Sequence, residues 1–142
     1  MQNQQPAQLL RLEQVRNELT EEHRILRSLS LRVQVARDPE DVAALLAELH
    51  RRLAVHFLHE EFADGWFEAL RGIGPAHQAR VRELTDEHAQ LLATARRLAA
   101  RAKGPHRGGT LIAEAHALGE RLAAHERREL MLAATSRAAA RE

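Results

Sequence analysis

At 142 residues the chain has the length of one domain, enough for a real core but not for two. Its 3% aromatic content, with no Tyr and no Cys, offers little to a β-sheet and excludes disulfides, thiolate zinc sites and iron–sulfur clusters. The net charge of +1 leaves no phosphate-tracking face, so no nucleic-acid partner is expected. No apolar run approaches the roughly 20 residues of a membrane span, and the Gln-rich start carries no export signal, so a cytoplasmic protein is expected.

Met1–Pro6 reads as a loose leader to a single domain spanning residues 1–142. A first helix is predicted from about Ala7 to Ala36, with apolar positions at Leu9, Leu12, Val15, Leu19, Leu26, Leu29 and Val33. It stops at Asp38-Pro39-Glu40-Asp41, where Asp38 suits an N-cap and Pro39 the first position of a new helix. That second helix runs to about Phe62. Asp64-Gly65 ends or bends it, and Trp66, Phe67 and Leu70 form a short further turn that plugs the core. Gly72-Ile73-Gly74-Pro75 is a break, and a third helix follows from Pro75 to about Ala102. After the loop Lys103–Gly109, Thr110 is the predicted N-cap of a fourth helix, which frays among Arg137–Glu142, with residues 138–142 as its tail. Four long amphipathic helices with short connections predict an all-α, up-down-up-down antiparallel four-helix bundle.

Each helix's apolar stripe is interrupted. The series Val42, Leu45, Leu49, Leu53 runs into His56 and Glu60, and Leu111, Ala115, Leu118, Leu122 runs into His125 and Glu129. His23 sits between Leu19 and Leu26, and His88 between Leu84 and Leu91. Buried imidazoles and carboxylates are costly unless partnered, and a metal ion is the joint partner that a His-x3-Glu pair on one helix face suits best. The six residues also come level. His23 lies about 15 residues before the first turn and His56 about 17 after it, roughly 22–25 Å along each helix. His88 and His125 each lie about 16 residues, or about 24 Å, from the loop between them. Glu60 and His88 are also about equidistant from Gly72–Gly74.

An internal repeat supports this layer. Glu18–His23 matches Glu83–His88, and Arg52–His56 matches Arg121–His125. Each half is therefore a helical hairpin supplying one His from its first helix and His-x3-Glu from its second. Six ligands are too many for one tetrahedral zinc. They suit two ions, each taking two imidazoles, with Glu60 and Glu129 able to bridge. Mixed imidazole and carboxylate ligation in a bundle points to iron, with manganese or zinc as alternatives. Two His per ion leaves both positions open to a further ligand. Glu22, Glu61, Glu87 and Glu126 either hydrogen-bond the imidazoles or face solvent. His59, off the stripe, is a supporting or surface residue rather than a ligand. His50, His77, His106 and His116 are read as surface residues, as are Arg96-Arg97 and Arg127-Arg128.

Glu22-His23, His56-Phe57-Leu58-His59-Glu60-Glu61, Glu87-His88, and His125 with Glu129 resemble the signatures of the hemerythrin-like family, the HHE cation-binding domain. The resemblance runs from about Leu9 to Ala133. It implies a bundle around a carboxylate- and oxo- or hydroxo-bridged di-iron centre that meets dioxygen, peroxide or nitric oxide. Oxygen-carrying members have a second His four residues before the third-helix His; here that position is Leu84. The ligand set that remains resembles that of di-iron proteins implicated in iron–sulfur repair and nitric-oxide stress, without the Cys-bearing segment often found in them. The expected function is small-ligand binding or catalase- or peroxidase-like chemistry in oxidative or nitrosative stress. A sensor or iron-handling protein without turnover is the alternative.

Overall fold

A computed structural model describes residues 5–62, 65–105 and 109–141, and contains the helices α1 (Gln5–Val35), α2 (Pro39–Glu61), α3 (Trp66–Arg71), α4 (Pro75–Lys103) and α5 (Gly109–Arg141). Asp38 caps α2 as expected. Its backbone is extended, its side chain accepts from the Glu40 N–H at 2.8 Å, and Pro39 fills a position that needs no donor. Pro75 opens α4 in the same way.

Two boundaries differ from expectation. The first helix begins at Gln5, inside the predicted leader, because proline is tolerated in a first turn. The last begins at Gly109, so Thr110 lies within it rather than capping it. It is helical as far as Arg141, as suits the strong helix formers Ala138, Ala139 and Ala140. Met1 to Gln4, Asp64, His106 and Glu142 lie outside the described residues, as do the side chains of Leu9, Leu12 and Val15.

The four long helices form a square in which α1 and α4 each pack on both α2 and α5. Short connections make successive long helices antiparallel. The apolar stripes meet in two clusters. One holds Leu26, Leu46, Leu53, Leu91, Leu98 and Leu122 among others. The second, smaller one gathers Leu19, Val81, Leu84 and Ala133 around Trp66, Phe67 and Leu70 of α3. Between them lies a buried polar layer of His56, Glu60, His88, His125 and Glu129. The short helix is thus the predicted plug, and burying Trp66 and Phe67 contributes roughly 1.5–3 kcal/mol for each large apolar side chain.

Two glycines permit close approaches that set this geometry. A Cβ at Gly65 would collide with the backbone carbonyls of His59 and Glu60, so only glycine lets α3 turn back under the end of α2. A Cβ at Gly119 would lie 2.8 Å from the Ser30 carbonyl oxygen and from Gln34 Cγ, which brings α5 tight against α1. Gln34 Nε2 also donates to the Gly119 carbonyl at 3.3 Å. Gly119→Leu is predicted to lower unfolding stability in urea by about 2 kcal/mol despite leucine's better helix propensity, because α1 must move. Glu120→Leu, at the exposed neighbour, should stay within about 0.5 kcal/mol of the parent. Equal stability of the Gly119 variant and the parent would refute the tight α1–α5 contact.

Candidate metal centre

The helical period places His56 directly above Glu60 on α2 and His125 above Glu129 on α5, while α1 and α4 present His23 and His88 at the same level. All six predicted residues meet. They form two overlapping groups, His23, His56, Glu60, Glu129 and Glu60, His88, His125, Glu129. Within each group the candidate ligand atoms lie within 4.8 Å of one another. The carboxylates of Glu60 and Glu129 belong to both.

Each imidazole turns Nε2 inward. His23 Nε2 lies 3.2 Å from Glu60 Oε2 and 3.6 Å from Glu129 Oε2. His56 Nε2 and His88 Nε2 lie 3.3 Å and 3.2 Å from Glu60 Oε1. His125 Nε2 lies 2.7 Å from Glu129 Oε1. The outward nitrogens are held by carboxylates. His56 Nδ1–H donates to Glu22 at 2.8 Å, His88 Nδ1–H to Glu61 at 2.9 Å, and His125 Nδ1–H to Glu87. An ionised carboxylate can only accept, so these bonds put the proton on Nδ1 and leave the Nε2 lone pair for the centre. Arg128 in turn grips both oxygens of Glu87. Sequence reasoning treated Arg128 as a plain surface charge, since the helix period alone does not bring it to Glu87 on α4.

The donor set fits a cation. Glu60 Oε1 and His125 Nε2 are buried without a hydrogen-bond partner, although each has an opposite-type atom nearby. Atoms that converge without hydrogen-bond geometry are what a shared ion between them would require. A family model, the hemerythrin HHE cation binding domain, matches residues 14–132. The chain belongs to that family. No curated protein and no solved structure gives a significant match.

Electrostatics in this hemerythrin domain is dominated by burial set against pairing. Burial opposes charge on His23 and His88, but contacts with Glu129 and Glu60 outweigh it and raise each pKa to about 10. His56 is also raised, against burial, by Glu60. Glu60 is held below the usual carboxylate range even though burial and Glu129 push it up, because the imidazoles of His23, His56 and His88 lie against it. Glu129 is held lower still, against burial, by His125, His23 and His88.

One of the differences between the repeat halves lies beside the ligands. The residue after His56 is Phe57, whose ring stacks on His88 at 3.7 Å and which lies edge-on to His125 at 5.8 Å. Phe67 stacks on His88 as well, at 4.8 Å. The residue after His125 is Glu126, and a pocket of about 220 Å³ there reaches His23 and Glu129 between Trp66, Arg27 and Leu130. His23 is accordingly 18% exposed, whereas the other three imidazoles are buried. Burial pushes the Glu126 carboxyl up, with Glu129 reinforcing it and His23 opposing. Phe57, Phe67 and Glu126 escaped sequence reasoning as shapers of access, although comparing the repeat halves at the residue after each His would have flagged Phe57 against Glu126.

The remaining sequence candidates sort clearly. His59 is exposed and donates from Nδ1 to Glu22 at 2.6 Å, so it stands outside the cluster. Unlike the other three outer glutamates, Glu126 has no hydrogen bond to an imidazole among the described residues. His50, His77 and His116 are half-buried rather than fully exposed. His116 Nε2 donates to the Ala36 carbonyl at 2.7 Å, tying α5 to the end of α1.

Metal uptake should release protons. A raised histidine pKa stabilises the metal-free fold fully below about pH 6.5, and that contribution fades as pH rises toward 10. At pH 8 His23 and His88 therefore hold protons that a cation must displace. Loading metal-free protein in weakly buffered solution with a pH indicator should acidify it measurably at pH 8. The absence of acidification would show that His23 and His88 are already neutral at pH 8 in the metal-free protein.

Proposed function

We propose that this chain is a non-haem di-iron protein, with one ion held by His23 and His56, the other by His88 and His125, and Glu60 and Glu129 bridging. The observation that carries this reading is the sharing of both carboxylates by two four-residue groups. A single ion would leave half the imidazoles without a role. Oxygen and nitrogen donors without any thiolate suit iron, ahead of manganese or zinc. Bound there, two iron ions would supply redox chemistry toward dioxygen, peroxide or nitric oxide.

The residues of the chain shape that chemistry. Glu22, Glu61 and Glu87 fix three imidazoles in one tautomer and orientation. Phe57 and Phe67 cover the His88 side, while the pocket beside Glu126 gives a small molecule its way to the His23 side. Access, rather than ligand count, then distinguishes the two positions. A covered side and an open side suit binding or catalase- and peroxidase-like turnover at one position in oxidative or nitrosative stress. No described helix is long and apolar enough to cross a membrane.

Protein expressed with ample iron should contain about two iron ions per chain. Iron near zero, or zinc alone, would sink the assignment. His56→Ala and His125→Ala should impair iron retention to a similar degree, beyond the roughly 10–100-fold typical of supporting residues, while His59→Ala should stay within that range. Peroxide consumption by the loaded protein supports turnover. Reversible spectral changes with nitric oxide or dioxygen and no peroxide consumption would make it a sensor or iron-handling protein instead.

A further inference from the structure

The two halves of the repeat hold their outer carboxylates differently. Glu22 and Glu87 occupy equivalent places, one residue before His23 and His88. Each accepts from the Nδ1–H of the second-helix imidazole of its half, His56 or His125. Three residues beyond that imidazole, on the same helix, comes a second group bound to the same carboxylate. In the first half it is His59, which donates to Glu22 at 2.6 Å. In the second half it is Arg128, which donates to both oxygens of Glu87. The two arms therefore match as far as the carboxylate, and then one ends in an imidazole and the other in a guanidinium.

That difference is one of fixed charge. A guanidinium stays protonated in a folded protein, and it matches a carboxylate better than any other side chain. An outer carboxylate raises the basicity of the imidazole it accepts from, because its negative charge favours electron density on the inward nitrogen. A cation on the same carboxylate offsets that effect. Glu87 is 21% exposed, so water screens the pair only in part. Glu61, which accepts from His88, has no cationic partner among the described residues. Support alone does not explain the guanidinium, since an exposed imidazole suffices for Glu22 in the other half.

We propose that Arg128 is a positioning residue that acts through Glu87 to lower the donor strength of His125, so that this side of the centre holds a divalent cation less tightly and favours ferric iron less than the same ligands would without it. The proposal rests on the di-iron reading for the identity of the ion, but any cation held by His125 suffices for its test. Arg128→Gln removes the charge and keeps an N–H donor for Glu87. His59→Arg is the converse change, placing a guanidinium beside Glu22. Arg127→Gln, at the exposed neighbour, removes the same net charge elsewhere on the helix.

Competition against a chelator gives the overall zinc affinity of each full-length protein, and redox titration followed by visible absorption gives the potential of the iron-loaded form. Arg128→Gln is expected to bind zinc about 3–10-fold more tightly, less than the roughly 10–100-fold that loss of an outer partner costs, and to lower the iron potential. His59→Arg is expected to weaken zinc binding by a similar factor and raise the potential. In a Glu87→Gln background the gain from Arg128→Gln should shrink to under about 2-fold, because the residue that transmits it is gone. A purely supporting role predicts the opposite sign, since a loosened Glu87 weakens binding. Unchanged or weaker zinc binding by Arg128→Gln therefore overturns the proposal, as does an equal gain from Arg127→Gln. Zinc binding without iron binding in the parent removes the di-iron reading and leaves the zinc comparison to decide. A parent that binds neither metal overturns both.

Discussion

Taking imidazoles and carboxylates out of water costs several kcal/mol for each charge left unpaired, and the middle of this bundle removes His56, Glu60, His88, His125 and Glu129 together. The rest of the architecture follows from keeping that layer partnered. Leucine-rich packing on one side and the α3 plug on the other close most of it off from water, save at the pocket beside His23. Exclusion strengthens every interaction inside the layer, and it would make a missing partner correspondingly costly. Protons and a cation are alternative partners for the same atoms, which is why the inward imidazoles attract both so strongly.

Outside the layer, a second set of charges makes its geometry definite. Glu22 accepts from two imidazoles at once, His56 and His59, and Glu87 is shared between His125 and Arg128. These carboxylates are partly exposed, so their contacts alone add little stability. Their effect is orientation. An imidazole whose Nδ1 is engaged has one nitrogen left to offer and one direction in which to offer it. Rigid α-helices on all four sides then convert that direction into a fixed ligand position.

Much of this was legible in the sequence because the helix has a single period. Stepping along α2 and α5 by three and four residues runs from leucines into His56, Glu60, His125 and Glu129, and counting residues from each turn puts His23 and His88 at their level. Asp38-Pro39 and Gly74-Pro75 declare their helix starts chemically. What stayed hidden depends on contacts between elements. Nothing along α5 says that Arg128 reaches Glu87, that His116 meets the Ala36 carbonyl, or that Gly119 lets α1 approach. The start of α1 at Gln5 went unread because proline in a first turn permits more helix than the Gln-rich start suggests.

The repeat explains why the centre is nearly symmetric, and its failure explains why the two sides can differ. Two hairpins that place identical ligands would enclose both ion positions equally if the surrounding residues matched. They do not match, because α3 lies in the connection between the two hairpins, after α2 and before α4, and packs at one end of the layer. Its Phe67 and the α2 residue Phe57 close over His88, while its Trp66 lines the same pocket as the Phe57 equivalent, Glu126. A single short helix thus covers one side of the layer and furnishes the pocket on the other. Duplication alone would have yielded two equivalent positions; the short helix between the hairpins and the change from Phe57 to Glu126 give the bundle a closed side and an open one.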